Sequence, residues 1–410
     1  MNLDLIRAVD KWCGIPACFF LSAAHKILAC IRPHRKAEAG DGTTPRKVLF
    51  IELSEMGSAI LAYPAMRYAL GKYPHLQLYF LIFSRNRFSV DVLDLIPENH
   101  VFTIDISSPV QFLWSTLKAL KAIRKTGIDT VFDLELFSRF SSLLSGLSGA
   151  RIRAGYSKYH EEGLYRGQFM THRVLYNCHQ HMAKNFIALV KAIEQQDEGP
   201  LLKEVIADEN LIRPRYEPSA KDLESMRRRL ADINPSVRSA KYLILFNPGA
   251  GSLLPIRAWP VENYGALGRK IVDRFDAVII IIGLEEACRE AEKILQYVGS
   301  ARCVNFAGKT SFKDLMDLLS LADILVTADG GPAHFATLTP IKNIVLFGPE
   351  TPALYAPLGP NSTCLFAGLA CSPCLSAYNH RKTSCTDPRC MKAITVEEVF
   401  GAVSGFLEKP

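Results

Sequence analysis

The chain has 410 residues, 49% hydrophobic and 22% charged, with a formal net charge of +7. This is ordinary globular composition, long enough for two domains of about 150–200 residues each. The mild positive charge permits acidic ligands or an anionic membrane surface, but no dense Lys/Arg run interleaves with aromatics, which argues against nucleic acid. The 11 cysteines are scattered apart from a C-terminal group. They do not form a secreted disulfide frame, no cleavable signal peptide is evident, and a reducing cytoplasm is the default.

Residues 1–36 stand apart. Gly14 to Ala24 is apolar except for Ser22, then His25 and Lys26 interrupt it. The run is too short for a span of about 20 residues. Phe19, Phe20, Ile27, Leu28 and Ile31, with Lys26, Arg32, Arg35 and Lys36, suggest a helix lying in a membrane interface. A helix packed on the body of the protein reads equally well. Ala37 to Arg46 is a linker by its Gly, Thr and Pro content, so residues 1–45 form an N-terminal segment.

A first α/β domain is expected over residues 46–210. Val48 to Ile51 is a buried strand, followed by the turn Glu52–Ser58 and a helix from Ala59 to Lys72. Leu78–Ile82, Val101–Ile104 and Thr130–Leu134 are further strands, and Val110 to Lys125 has helical periodicity. Strands alternating with helices mean a parallel, doubly wound sheet. Such sheets bind ligands beyond the carboxyl ends of strands, here Glu52–Ser58 and Asp133–Arg139. Arg139, after Phe137 and Ser138, could contact an acidic acceptor or be a plain surface charge. His172 to Glu194 reads as one long helix. His179 and His181 are two apart and cannot share its face, so they read as surface and packing residues.

The second α/β domain is expected over residues 211–410, with the crossover near 200–215. It opens with Tyr242–Phe246 and the turn Asn247-Pro248-Gly249-Ala250-Gly251. Helix Pro260–Phe275, strand Val278–Ile282 and helix Ala287–Gln296 follow. Gly308-Lys309-Thr310 is another strand-end turn, after which Ser311 caps a helix. Strand Ile324–Val326 leads into Asp329-Gly330-Gly331-Pro332, a short helix carrying His334, and strand Ile344–Phe347. The two glycines and the helix start suit an anion, with an ordinary tight turn and a core histidine as the alternative. In the loop 364–391, Cys371-x2-Cys374-x10-Cys385-x4-Cys390 has the spacing of a small structural zinc site, with His380 as a spare ligand. A loop of reduced thiols is the alternative. Thr395 to Glu408 is a closing helix.

Taken in order, these motifs resemble glycosyltransferase family 9, the heptosyltransferases of lipopolysaccharide assembly. The resemblance rests on FIELSEMGSAILAYPAM, on NPGAGS followed by Arg257 and Trp259-Pro260, and on Asp329 to His334 followed by Leu346 to Pro349. It covers about residues 46–405. It implies two doubly wound Rossmann-like domains facing a cleft, the GT-B architecture, and an inverting transfer that requires no metal. The first domain would bind a glycolipid or oligosaccharide acceptor, through Ser54 and Arg139. The second would bind a nucleotide sugar such as ADP-heptose, through Asn247, Gly249, Arg257, Gly308, Lys309, Thr310, Asp329, Gly330, Gly331 and His334. The protein would work in the cytoplasm, at the inner face of the cytoplasmic membrane.

One position departs from the family. Its catalytic Asp directly follows Met-Gly, and here that residue is Ser58. A serine hydroxyl takes no proton at neutral pH without a base of its own. Glu55 lies three residues earlier on the same helical face and is the first candidate base, with Glu52 second. The competing readings are a catalytically silent protein that kept the donor pocket, and a sugar-nucleotide epimerase of similar build.

Overall fold

The structure is a computed structural model that describes residues 3–31, 44–136, 138–156, 165–195, 202–251, 254–379 and 381–408. Phe137, Ser252, His380, Arg32, Arg35, Lys36 and most of the linker lie outside the described residues, as do the side chains of Leu28 and Ile31. The chain divides into two compact units, Met1–Ile212 and Arg213–Pro410.

Unit one is built on six parallel strands: β1 (Lys47–Ile51), β2 (Gln77–Phe83), β3 (Val101–Ile104), β4 (Thr130–Asp133), β5 (Ile152–Tyr156) and β6 (His172–Val174). Their order is β3-β2-β1-β4-β5-β6. Val48, Leu49, Phe50 and Ile51 are all fully buried. A strand covered on both faces reads as a continuous apolar run, which is why β1 stands out in the sequence. The strand order reverses between β1 and β4, so the loops after these two strands flank the crevice where doubly wound sheets bind ligands.

Unit two repeats the plan with β7 (Tyr242–Asn247), β8 (Ala277–Ile281), β9 (Cys303–Asn305), β10 (Ile324–Ala328), β11 (Lys342–Phe347) and β12 (Ser362–Phe366). The order is β12-β11-β10-β7-β8-β9, with the reversal between β7 and β10. Two doubly wound units in one chain are the GT-B plan. Ser311 caps its helix through a reciprocal capping box with Asp314.

Three elements differ from expectation. The helix expected from Ala59 starts earlier and breaks at Ala62, giving Met56–Leu61 and Tyr63–Lys72. His172 to Glu194 is not one helix. His172–Val174 pairs with β5, and the helix runs from Met182 to Ala192, capped by the His181 ring, which accepts from the Ala183 N–H. The intervening loop is pinned by Asn185, whose amide donates to the carbonyls of Asn177 and Gln180. The N-terminal segment forms a hairpin of two helices, Leu3–Trp12 and Gly14–Ile31, packed on the helix Arg139–Leu147. Among the described residues no helix is long and apolar enough to cross a membrane.

Candidate active site

In unit one the loop after β1 is held from three sides. Asn86 donates to the carbonyls of Leu53 and Ser54. From the end of β4, Glu135 Oε1 accepts the Leu53 N–H at 2.9 Å and the Ser54 hydroxyl at 3.3 Å. Glu52, almost fully buried, accepts the Glu55 N–H at 3.4 Å. Glu55 is the N-cap residue of the Met56–Leu61 helix, but its side chain makes no capping bond. It accepts instead from the Ser58 hydroxyl, 3.0 Å from its Oε2. The first turn thus brings the two residues together as their three-residue spacing implies.

Sequence reading missed the acidic residues that complete this end of the sheet. Glu135 and Asp133 are both buried. Burial pushes the Glu135 carboxyl up to about 7; the charges of Glu55 and Asp133 add to this, and the Leu53 N–H and Arg166 oppose it. Burial also raises Asp133, against the pull of Arg166 and Ser141. Arg166 donates to Asp133 at 2.5 Å and to Ser141 Oγ at 2.9 Å. Asp133 and Glu135 sit in the strand end the fold rule singles out. Nothing in the sequence marks Arg166 as their partner.

Arg139 is not on an exposed rim. It is 4% exposed, and its guanidinium pairs with Asp10 of the N-terminal hairpin at 3.0 Å. Asp10 also accepts the backbone N–H groups of Arg139 and Phe140, so it caps that helix from a distant part of the chain. Gly14 permits the approach: a Cβ there would lie 2.9 Å from the Arg139 Cβ. The expected acceptor contact is therefore spent on holding the hairpin.

In unit two, Asn247 and Asp329 stand at the ends of β7 and β10, on either side of the strand reversal. Asn247 donates to Thr327 Oγ1 at 2.9 Å, tying the two strands together. Arg257 donates to Asp329 at 3.2 Å, and both are largely buried. The Arg257 Nε is buried and has no hydrogen-bond partner among the described residues. Gly249 follows Asn247, whose amide donates to its carbonyl at 3.5 Å, and Gly330 leads from Asp329 into the helix Gly331–Ala336. At six residues this helix has a weak dipole, so an anion here would depend more on Arg257 than on the helix end. His334 is buried within it. Gly308 adopts φ +71° and donates to the Gly283 carbonyl at 2.9 Å, a left-handed turn that suits glycine. Lys309 reaches the Asn305 carbonyl, and Thr310 is half-buried.

Of the residues expected to hold zinc, the four cysteines are described and His380 is not. Among the described residues no three His, Cys, Asp or Glu side chains are grouped to hold a metal. Cys371 is exposed, whereas Cys390 is drawn into the apolar core with Met391, beside Gly348. Burial raises the Cys390 thiol, and the charges of Cys374 and Cys385 add to this.

Residues 116–384 match the family described as glycosyltransferase family 9 (heptosyltransferase). A lipooligosaccharide heptosyltransferase 2 of Campylobacter jejuni is 26% identical over 182 residues, 43% of this chain and 54% of that protein. The match thus spans about half the length of that relative. A lipopolysaccharide core heptosyltransferase of Haemophilus influenzae is 23% identical over 76% of this chain and 82% of its own. Among solved structures, the E. coli ADP-heptose heptosyltransferase II superposes with a TM-score of 0.67 at 18% identity, covering 88% of this chain and 98% of that one.

Proposed function

The chain belongs to glycosyltransferase family 9, the heptosyltransferases, and on that footing we propose that it moves a heptose from ADP-heptose, or a similar nucleotide sugar, to an acceptor of the lipopolysaccharide-core type, with inversion. The observation that carries this reading is that the family match encloses the whole donor set, from Asn247 to His334. Arg257, with its spare buried Nε, meets a diphosphate oxygen, and the backbone at Gly249, Gly330 and Gly331 lets the diphosphate come close. Asp329 orients Arg257. Gly308 to Thr310 lie toward the nucleoside.

In unit one, Glu55 removes the proton of the acceptor hydroxyl as its oxygen bonds to the heptose anomeric carbon. The bond from that carbon to the diphosphate breaks, and ADP leaves with the electron pair, its charge met by Arg257. The Ser58 hydroxyl holds Glu55 Oε2 in place, and Glu52 holds the Glu55 backbone. Ser54 is the acceptor contact on this loop. The transfer as written requires no cofactor. A lipid-linked acceptor brings the reaction to the cytoplasmic face of a membrane, where the N-terminal hairpin docks. The epimerase reading is not favoured, since the family and the relatives are transferases.

A thermal-shift screen across nucleotide sugars tests the donor. A cognate donor binds the folded state and raises its apparent stability, by about 2.7 kcal/mol at a concentration of 100 times Kd. ADP-heptose should give the largest shift. A larger shift with a uridine or guanosine sugar would remove the donor assignment.

A further inference from the structure

We propose that the helix Pro109–Thr126 is a lipid-docking element, and that with the N-terminal hairpin it forms one face that seats unit one on an anionic bilayer. This rests on the membrane reading above and specifies where lipid meets the fold.

The helix has two apolar faces. Ser115, Ala119 and Ile123 are buried, and Ala119 and Ile123 belong to the core behind the sheet. On the opposite side Val110, Leu113, Trp114 and Leu117 are 58–76% exposed. Their spacing of i, i+3, i+4 and i+7 places them on one stripe, where a surface helix ordinarily carries polar residues. The last two turns continue that outer face with Lys118, Lys121, Arg124 and Lys125, all exposed. No Asp or Glu occurs between Pro109 and Thr126. The Lys118 ammonium sits 5.0 Å from the centre of the Trp114 ring, where apolar and basic halves meet. Apolar side chains beside an acid-free basic row match the acyl boundary and phosphate layer of an anionic membrane.

The hairpin packs on a neighbour of this helix. Phe112 packs on Phe140 with ring centres 4.9 Å apart, and Arg124 donates to the Leu147 carbonyl at 2.7 Å. These contacts set the Pro109–Thr126 helix beside the Arg139–Leu147 helix. The hairpin docks on that same helix through Asp10 and through Leu21, which presses on Gly146. Facing away are Trp12, Phe19 and Phe20, 60–73% exposed, with Lys11 over the Trp12 ring and Lys26 exposed. Two apolar sets, each bordered by cations, therefore flank one helix. The cations favour phosphate headgroups over an apolar protein partner.

The test is cosedimentation of the full chain with phosphatidylglycerol–phosphatidylethanolamine vesicles and with phosphatidylcholine vesicles. Leu113→Glu with Leu117→Glu is the first variant, Phe19→Glu with Phe20→Glu the second. Wild type should bind the anionic vesicles, and less so as salt rises. The first variant should bind about tenfold more weakly with an unchanged melting profile. If that variant misfolds, Lys118→Gln with Lys121→Gln, which touches no core residue, should show the weaker binding to phosphatidylglycerol. A folded first variant that binds like wild type overturns the inference. If the second variant alone loses binding, the hairpin reading stands and the inference falls. If wild type binds neither vesicle, both fall. If the first variant turns a dimer into a monomer without changing vesicle binding, the face belongs to a second copy and the inference falls.

Discussion

In the proposed mechanism, Glu55 and Ser58 divide between them what one aspartate does in the family pattern. The carboxylate moves back one turn, and the serine hydroxyl that replaces the aspartate becomes its hydrogen-bond donor. Loss of a general base costs about 10²–10⁴ in rate. Glu55→Gln should therefore lower kcat by that range and leave the donor dissociation constant unchanged, measured by steady-state kinetics and donor titration. Ser58→Ala keeps the base and should cost about tenfold or less. Glu55 acts on Glu135 through charge, adding to the rise that burial imposes, so in Glu55→Gln the Glu135 carboxyl should titrate at lower pH than in wild type, followed by carboxyl NMR. An unmoved titration would show that the two do not communicate. The Glu55–Ser58 pair was legible because both residues share one helical turn. Glu135 and Arg166 were not, because their contacts join strand ends and loops far apart in sequence.

At the scale of elements, the strands that read as apolar runs were legible, four-residue β3 among them, and β5, β6, β9 and β12 were not. β1, β2, β7 and β8 are apolar runs with turns behind them, as strands covered on both faces must be. β6, β9 and β12 have three to five residues and lean on a neighbour for their identity. His172–Val174 adopts strand geometry because it pairs with β5, a tertiary effect that local periodicity does not carry. The hairpin, read in sequence as either a membrane or a packing helix, packs one side on the Arg139–Leu147 helix and leaves Trp12, Phe19 and Phe20 exposed. Asp10 and Leu21 hold the packed face, with the Ser22 hydroxyl accepting the Gln168 N–H. Asp10→Ala would leave Arg139 buried without its carboxylate, a loss of about 3–5 kcal/mol. Urea unfolding should show a fall of that order if unit one unfolds cooperatively. A change under 1 kcal/mol would mean the hairpin detaches without the rest.

At the scale of the molecule, both units place their candidate site residues at the reversal of strand order, the carboxylates in unit one and the Asn247, Arg257 and Asp329 group in unit two. The unit-one site also shapes stability. Glu135 carries a folded pKa raised to about 7 from an ordinary value near 4.5. Between those values the native state binds more protons than the unfolded one, so this group's contribution to stability falls as pH rises through that window. The decline is on the order of 3 kcal/mol. Glu135→Gln should remove it, so that the variant gains on wild type at pH 8 relative to pH 5 in urea titrations. An equal difference at both pH values would contradict the raised pKa.

The central claim is catalysis with Glu55 as base, and acceptor-dependent release of ADP tests it most directly. Purified protein, ADP-heptose and a heptose-deficient lipopolysaccharide acceptor should release ADP as a heptose is added to the acceptor, seen by mass spectrometry. The Glu55→Gln protein should bind ADP-heptose as tightly and release ADP about 10²–10⁴ more slowly. A wild-type protein that binds ADP-heptose and releases no ADP with any such acceptor would be a silent binder, and would contradict the account.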